Sequence, residues 1–575
     1  MKVLLVQPPV EDFFFTPKRA YPLGLIYLGT VLEKAGHEVR IFDFCEGSEK
    51  RTVTAPKQFG YLKRYYRRND SAFRLFSVYS HFGKKYSEFE KELKAFSPDL
   101  AAISSNFNAY IDQALAVASR VKGADKRIVT VMGGRAVTVT PDIFLSRPEV
   151  DYILRGEGEG SLTELCGSPG NTDRGKIPGI GYRTGPGMTF ISDEPAVVED
   201  IDALPLPNRK LINSGEYTWQ GEISASLITS RGCSLGCGFC AIKDRFRYRE
   251  AGKVLEEIDD CYSLGVRHFN FEDDNINLNP EFEKIVDLLI PKFRGKIRVS
   301  FMNGVLASGL GIRLREKLID LGLTHLDLSI ASSVARLREE VNRTEELPEV
   351  FEAGSYFSGR NIPVTVHFII AMPKQDFNDA AADLRLLAPE PVLLGPSIYY
   401  PAAESAMFPY LRDNYGLKGA DYAFFRSSAA FYDKDIPRDR IFTLFYFCRI
   451  INFIKWYRDS TSDPSTDIAG IIEKESSRFS DKGTMLTGDN GAGREAVSLV
   501  LLKKLFAERV IYRVERSRED NRLIYRSFPE EFVAKDDVGE ILSALTITGT
   551  SGRSFVLPEM NMVSTLDEKM SNGEA

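Results

Sequence analysis

Three cysteines close together in one loop are the strongest chemical signal in the sequence. Residues 231–240 read R-G-C-S-L-G-C-G-F-C, which sets Cys233, Cys237 and Cys240 in a C-x3-C-x2-C spacing. Thiolates this close project into one small volume, and Gly232, Gly236 and Gly238 let the backbone fold around whatever they hold. Soft thiolates select zinc, copper(I) or an iron–sulfur cluster. Three are one short of a closed tetrahedral site, and no fourth Cys or nearby His completes a structural zinc pattern. A cubane cluster on three thiolates keeps one iron open to an outside ligand. The plain alternative is three thiols that only pack.

The elements around the loop alternate. Residues 225–230 are short, apolar and β-prone, so the loop leaves the end of a strand. Further strands are expected at 268–272, 297–302, 325–330, 363–371 and 392–399, with helices at 252–264, 281–293, 312–321, 334–341 (and a further turn to 358) and 376–387. Six βα units make an incomplete barrel, and function in such barrels lies at the C-terminal ends of the strands. That gathers Glu272 to Asn275, Asn303-Gly304, Ser329 to Ser333 and Met372-Pro373 around one mouth, beside the cysteines. Glu272 to Asn275 could equally cap the helix that follows Asn279-Pro280.

With an aromatic, Phe239, before its third cysteine, the motif resembles the radical S-adenosylmethionine (SAM) enzymes. The resemblance implies a [4Fe-4S] cluster on Cys233, Cys237 and Cys240 whose open iron chelates SAM. It implies Phe239 near the adenine, and Glu272, Asp273, Asn303, Ser329 and Ser332 among the SAM contacts. Two motifs depart from the family pattern. Ala331 stands where a glutamate is usual, and I-A-M-P-K-Q-D replaces a stretch that favours glycine and P-G-E-T.

Upstream, 2–7 reads as a buried parallel strand, 21–35 as a helix closed by Gly36, and 37–44 as a second strand. The pattern resumes with a strand at 100–104, a helix at 111–121, a strand at 127–132 before Gly133-Gly134, and a strand at 151–154 before G-E-G-E. Such units form a doubly wound parallel sheet that binds ligands at the carboxyl ends of its strands. V-Q-P-P, Y-P-L-G-L-I-Y-L, A-G-H-E-V-R-I-F-D, M-G-G and D-Y-I-L-R-G-E-G-E resemble the cobalamin-binding domain that precedes the barrel in one radical SAM subgroup. That resemblance implies cobalamin against Ser104, Ser105, Gly133, Gly134 and Glu157. No D-x-H-x-x-G motif offers a histidine to cobalt, and Arg135 and Ala136 stand where the subgroup often has one. A flavodoxin-like domain without cobalamin is the other reading.

The expected fold class is therefore α/β: a Rossmann-like cobalamin domain (1–176), a linker (177–221) holding L-P-L-P-N, a partial (β/α)6 barrel (222–402) and a mostly α extension (403–575). An insertion at 45–97, with Y-L-K-R-Y-Y-R-R, reads as an exposed helical hairpin over the sheet edge. In the last third, helices are expected at 439–459 and 494–509, a small antiparallel element at 513–532 and 541–556, and a frayed tail from 559. Cys166, Cys261 and Cys448 read as packed thiols.

At 575 residues, 43% apolar, 27% charged and a net charge of −6, the chain has ordinary soluble composition and no basic excess for nucleic acid. No run reaches a membrane span or a signal peptide, and seven cysteines make no disulfide framework, which points to the cytoplasm. The resemblance implies methylation of an unactivated carbon of a small-molecule or natural-product substrate. One SAM would methylate cobalamin, a second would yield a 5′-deoxyadenosyl radical, and an outside one-electron reductant (flavodoxin or ferredoxin) would supply the cluster. Ring formation, ring contraction or oxidation with the same cofactors is the alternative, and a non-catalytic iron–sulfur protein a further one.

Overall fold

A computed structural model describes residues 1–14, 21–66, 76–167, 174–343, 346–461, 512–516 and 523–527. The first sheet is built on β1 (Lys2–Gln7), whose Val3, Leu4, Leu5 and Val6 are all fully buried. An unbroken apolar run of this kind suits a strand covered on both faces. β1 pairs in parallel with β2 (Glu38–Asp43) and β3 (Leu100–Ser104). β4 (Val129–Gly133) and β5 (Tyr152–Leu154) follow on, also in parallel. The spatial order β2-β1-β3-β4-β5 reverses between β1 and β3, where a doubly wound sheet opens its ligand crevice. An antiparallel hairpin, β6 (Ile180–Gly185) and β7 (Met188–Ile191), extends the sheet beyond β5, inside the stretch expected as linker.

The barrel strands lie within a few residues of expectation: β8 (Glu222–Leu227), β9 (His268–Phe271), β10 (Arg298–Phe301), β11 (Leu326–Ala331), β12 (Val364–Ile370) and β13 (Leu393–Ile398). They pair in parallel as β8-β9-β10 and β11-β12-β13, and the bridge Val305↔Leu328 spans the seam between the groups. Their sequences alternate. Leu227, Phe269, Val299, Leu328, Val366 and Phe368 bury outward against the helices, each worth roughly 1.5–3 kcal/mol. The alternate, inward positions are polar: Ser226, Asn270, Ser300, Asp327, Ser329 and His367.

The barrel's open edge is closed by the helix Arg438–Thr461. Asn452 lies against β13 and exchanges two 2.8 Å hydrogen bonds with the main chain of Leu394, as a neighbouring strand would. Lys455, fully buried, donates to the carbonyls of Leu387, Glu390 and Val392.

The insertion is not an exposed helical hairpin. Lys50–Thr52 and Ser80–Phe82 form a small antiparallel sheet with Val10–Asp12, next to a 3-10 run at Lys57–Arg64 and a helix at Tyr86–Phe96. Its aromatics are sequestered. Phe59 packs edge-on to Phe424, and Tyr65 and Tyr66 pack on Phe442. The partners that bury them lie more than 360 positions further along the chain, out of reach of any local pattern. Tyr512–Arg516 and Leu523–Ser527 form an antiparallel pair within the expected C-terminal element. The helix expected at 494–509, the strands at 541–556 and the tail lie outside the described residues.

Candidate active site

The cysteine loop is pinched at its base by a two-residue antiparallel pair, Ser230–Arg231 with Arg247–Tyr248. Gly232 makes the pinch fit. Its φ is +82°, and a Cβ there would stand 2.6 Å from the carbonyl oxygens of Asp244 and Arg245. The far side of the loop is held by Gly238 N–H to the Val341 carbonyl (2.8 Å) and Asn342 Nδ2 to the Leu235 carbonyl (2.9 Å). Cys233, Cys237 and Cys240 are all free and partly exposed. Burial raises the pKa of the Cys233 and Cys240 thiols, and the charges of Asp274 and the other cysteine thiols push the same way. The guanidinium of Arg343 lies 3.9 Å from the Cys237 sulfur.

Among the described residues, no three Cys, His, Asp or Glu side chains gather tightly enough to share one metal ion.

The loop opens on a cavity of about 940 Å³ walled by both cores. The sheet contributes Gln7, Ser104, Gly133 and Gly134, and the helix Leu23–Lys34 contributes Leu25 and Leu28. The barrel contributes Phe239, Cys240, Glu272, Asp274, Ser329 and His367. The wall fits a bound group at several points. The hydroxyls of Tyr27 and Tyr399 line it, buried and without a hydrogen-bond partner, and the Ser105 hydroxyl is likewise unpartnered just behind. At Gly133 a Cβ would meet only the Leu154 carbonyl, 3.8 Å away, so the missing side chain leaves open space. Gly134, at φ +106°, is forced instead, because a Cβ would stand 2.6 Å from Asn106 Oδ1.

Matches to known proteins agree with this arrangement. Residues 72–166 match the B12 binding domain and residues 227–387 the Radical SAM superfamily. The chain carries a radical SAM domain behind a B12-binding domain. An uncharacterized methyltransferase of Pyrococcus horikoshii is 25% identical over 398 residues, covering 67% of this chain and 77% of the relative. Cytidylyl-2-hydroxyethylphosphonate methyltransferase of Streptomyces wedmorensis is 27% identical, covering 65% and 73%. Among solved structures, the radical SAM methyltransferase TsrM of Kitasatospora setae superposes with a TM-score of 0.56 at 16% identity, over 72% of this chain and 76% of that one, and so shares the fold. The radical SAM domain takes a [4Fe-4S] cluster and SAM, and the B12-binding domain takes cobalamin.

The residues expected to touch those cofactors divide into two groups. Ser104, Gly133, Gly134, Glu157, Phe239, Glu272 and Ser329 line the cavity. The others stand behind it. Asp273 is buried and takes the Thr229 N–H (3.0 Å), the Thr229 hydroxyl (2.8 Å) and the Ser230 hydroxyl, so it anchors the approach to the cysteine loop. Burial raises its pKa against those hydrogen bonds. Asn303 donates to the carbonyls of Glu272 (3.1 Å) and Asp273 (2.9 Å). Ser332 is fully buried and donates to Asp383 (3.1 Å), away from the cavity. Ser105 is buried beneath the paired glycines, where its carbonyl accepts from Ala136 N–H.

Glu272 is aimed by a chain of polar side chains through the barrel. Ser224 Oγ lies 2.8 Å from His268 Nδ1, Ser300 Oγ lies 3.1 Å from His268 Nε2, and Ser300 donates to Asn270 Oδ1. Asn270 Nδ2 then reaches Glu272 (3.3 Å), as does the Ser226 hydroxyl (2.5 Å). Burial, together with the nearby His325 and Arg298, pushes His268 down to about 3, so this imidazole is neutral.

The G-E-G-E run works as a latch. Glu157 takes Arg247 at 2.8 Å and Arg231 at 3.4 Å, and Glu159 takes Arg231 at 2.6 Å. These arginines flank the cysteine loop, so the sheet domain grips the loop from both ends. Burial works to raise the Glu157 carboxyl, but the two guanidiniums hold it below its usual range. Arg135, standing where the subgroup often has histidine, binds Asp244 (2.7 Å) and the Ala241 carbonyl across the same boundary. The latch and the cavity's His367, Tyr27 and Tyr399 were not read from sequence, because isolated residues in strands and helices carry no spacing signal.

Proposed function

We propose that this chain methylates an unactivated carbon of a small molecule. The carrying observation is the single cavity walled by the cysteine loop and by the carboxyl ends of β1, β3 and β4. When bound, the cluster and SAM supply a hydrogen-abstracting radical and cobalamin supplies a methyl group. The protein's own part is to hold, align and keep dry. In this reading Cys233, Cys237 and Cys240 hold the cluster, and Phe239, Glu272 and Ser329 face SAM. Asp273, Asn303 and Ser332 position those groups without touching them. Ser104, Gly133 and Gly134 form the cobalamin wall, with Glu157 clamping the loop against it.

The Arg231–Glu159 and Arg247–Glu157 pairs keep the two walls in register. Leu25, Leu28, Val131 and Leu154 supply the apolar lining that excludes water. The methyltransferase names of the relatives support the transfer, and that of the S. wedmorensis relative suggests a polar acceptor. A flavodoxin or ferredoxin would supply electrons. No helix among the described residues is long and apolar enough to cross a membrane.

The test is anaerobic reconstitution with iron, sulfide and cobalamin, followed by SAM, a reductant and candidate acceptors. Methyl transfer yields S-adenosylhomocysteine together with 5′-deoxyadenosine. The second product without the first would move the enzyme to ring-forming or oxidative chemistry.

A further inference from the structure

Across β11, β12 and β13 one row of inward positions reads Ser329, His367, Gly395, directly opposite one another. His367 lies on the cavity wall with its side chain about half exposed. Its Nε2 is 3.0 Å from Asp327 Oδ1, and His325 Nε2 is 3.2 Å from the other oxygen. Burial works to raise the Asp327 carboxyl, but the two imidazoles hold it well below the usual range. A carboxylate only accepts, so Nε2 carries a proton towards Asp327, and the tautomer that leaves a lone pair is the one with that pair on Nδ1.

Gly395 leaves that edge uncovered, since a Cβ there would stand 2.6 Å from Nδ1. A mere tie between β11 and β12 needs neither a half-exposed ring nor an uncovered acceptor. A second group also awaits a partner. The Tyr399 hydroxyl, at the end of β13 and 3% exposed, lines the same cavity unpaired.

We propose that His367, aimed by Asp327, recognises the substrate by accepting a hydrogen bond at Nδ1 from an alcohol of a polar small molecule. The Tyr399 hydroxyl donates to an oxygen of the same molecule. An alcohol both donates and accepts; an ether or a hydrocarbon cannot satisfy Nδ1, and a site built for such a bond rejects the analogue lacking it. This assignment rests on the cavity being the acceptor's site.

The experiment uses holoenzyme carrying oxidised cluster, cobalamin and SAM, labelled with 15N-histidine. The probes are a panel of neutral alcohol fragments, each paired with its methyl ether. The expected result is a His367 protonated at Nε2, alcohols that shift its Nδ1 resonance, and binding about tenfold tighter than the matched ethers. His367→Phe should level each pair. Asp327→Asn should move part of the proton to Nδ1 and weaken the preference, a change that a purely structural tie would not produce. Gly395→Ala, which crowds the ring directly, serves as a second variant if Asp327→Asn does not fold. A proton on Nδ1 in the wild type, ethers that bind as well as alcohols, a preference that survives His367→Phe, or a panel that leaves His367 unmoved would each overturn the proposal. SAM products are not read in this experiment, so its failure and the failure of methyl transfer are told apart.

Discussion

Gly133 and Gly134 show how neighbouring residues can differ in what they do. Gly134 is required by the backbone, because both its φ and the approach of Asn106 forbid a side chain. Gly133 has room, and what a methyl group would enter there is the cavity. Gly133→Ala should therefore fold with a melting temperature close to wild type, yet lower the cobalamin retained per chain at least fivefold. Cobalt analysis beside thermal melting checks this, and unchanged cobalt would show that cobalamin does not lie against that strand end. At this scale the sequence was legible where chemistry is contiguous. Cys233, Cys237, Cys240 and Gly133-Gly134 announce themselves by spacing. Asp273 and Ser332 sit at the expected strand ends but point away from the cavity, and strand-end position alone does not fix direction. His367 and Tyr399 gain meaning only from partners across the sheet.

Among the elements, the parallel strands were the easiest to read, because β1 carries an unbroken apolar run and β8 to β11 alternate. The insertion was the hardest, since Tyr61 and Tyr66 find their acceptors at Ala429 and Ser428. One strand end gives a pH prediction. Asp43, the last residue of β2, accepts from the Tyr217 hydroxyl (2.6 Å) and Cys45 N–H (2.7 Å), tying the sheet to the segment that leads into β8. Burial pushes its carboxyl up to about 7, despite those hydrogen bonds. An unfolded aspartate titrates near ~3.9. Between those values the folded chain holds a proton that the unfolded chain has released, so this residue's contribution to stability falls as pH rises. Asp43→Asn has no such proton to lose. Its melting temperature relative to wild type should climb by about 2–4 °C or more between pH 5 and pH 8. A gap that stays constant with pH would mean that Asp43 is already ionised in the folded protein at pH 5.

Among the described residues one apolar core runs from Phe59 and Tyr66 of the insertion into the barrel and the helix Arg438–Thr461, and buried polar ties set the register of the parts around it. Arg209, in the joining segment, is fully buried and donates to the Tyr21 hydroxyl (2.7 Å), the Ser226 carbonyl (2.8 Å) and Glu257, so it binds sheet domain and barrel at once. Arg426 reaches Asp12 (3.3 Å) and the carbonyls of Glu11 and Ala109, which fastens the C-terminal segment to the first domain. Buried pairs of this kind add little net stability, but breaking one partner costs about 3–5 kcal/mol, so they act as registration pins. Domain order was legible from motifs. The registration was not, because each pin joins residues distant in the chain. What the pins register is the facing of the cysteine loop and the cobalamin wall across one cavity. Electron paramagnetic resonance of reconstituted enzyme with cobalt(II) cobalamin, recorded with the cluster oxidised and then reduced at low temperature, tests that directly. Two spins facing one cavity should broaden or split the cobalt signal on reduction of the cluster. A cobalt signal identical in both states would contradict the shared cavity.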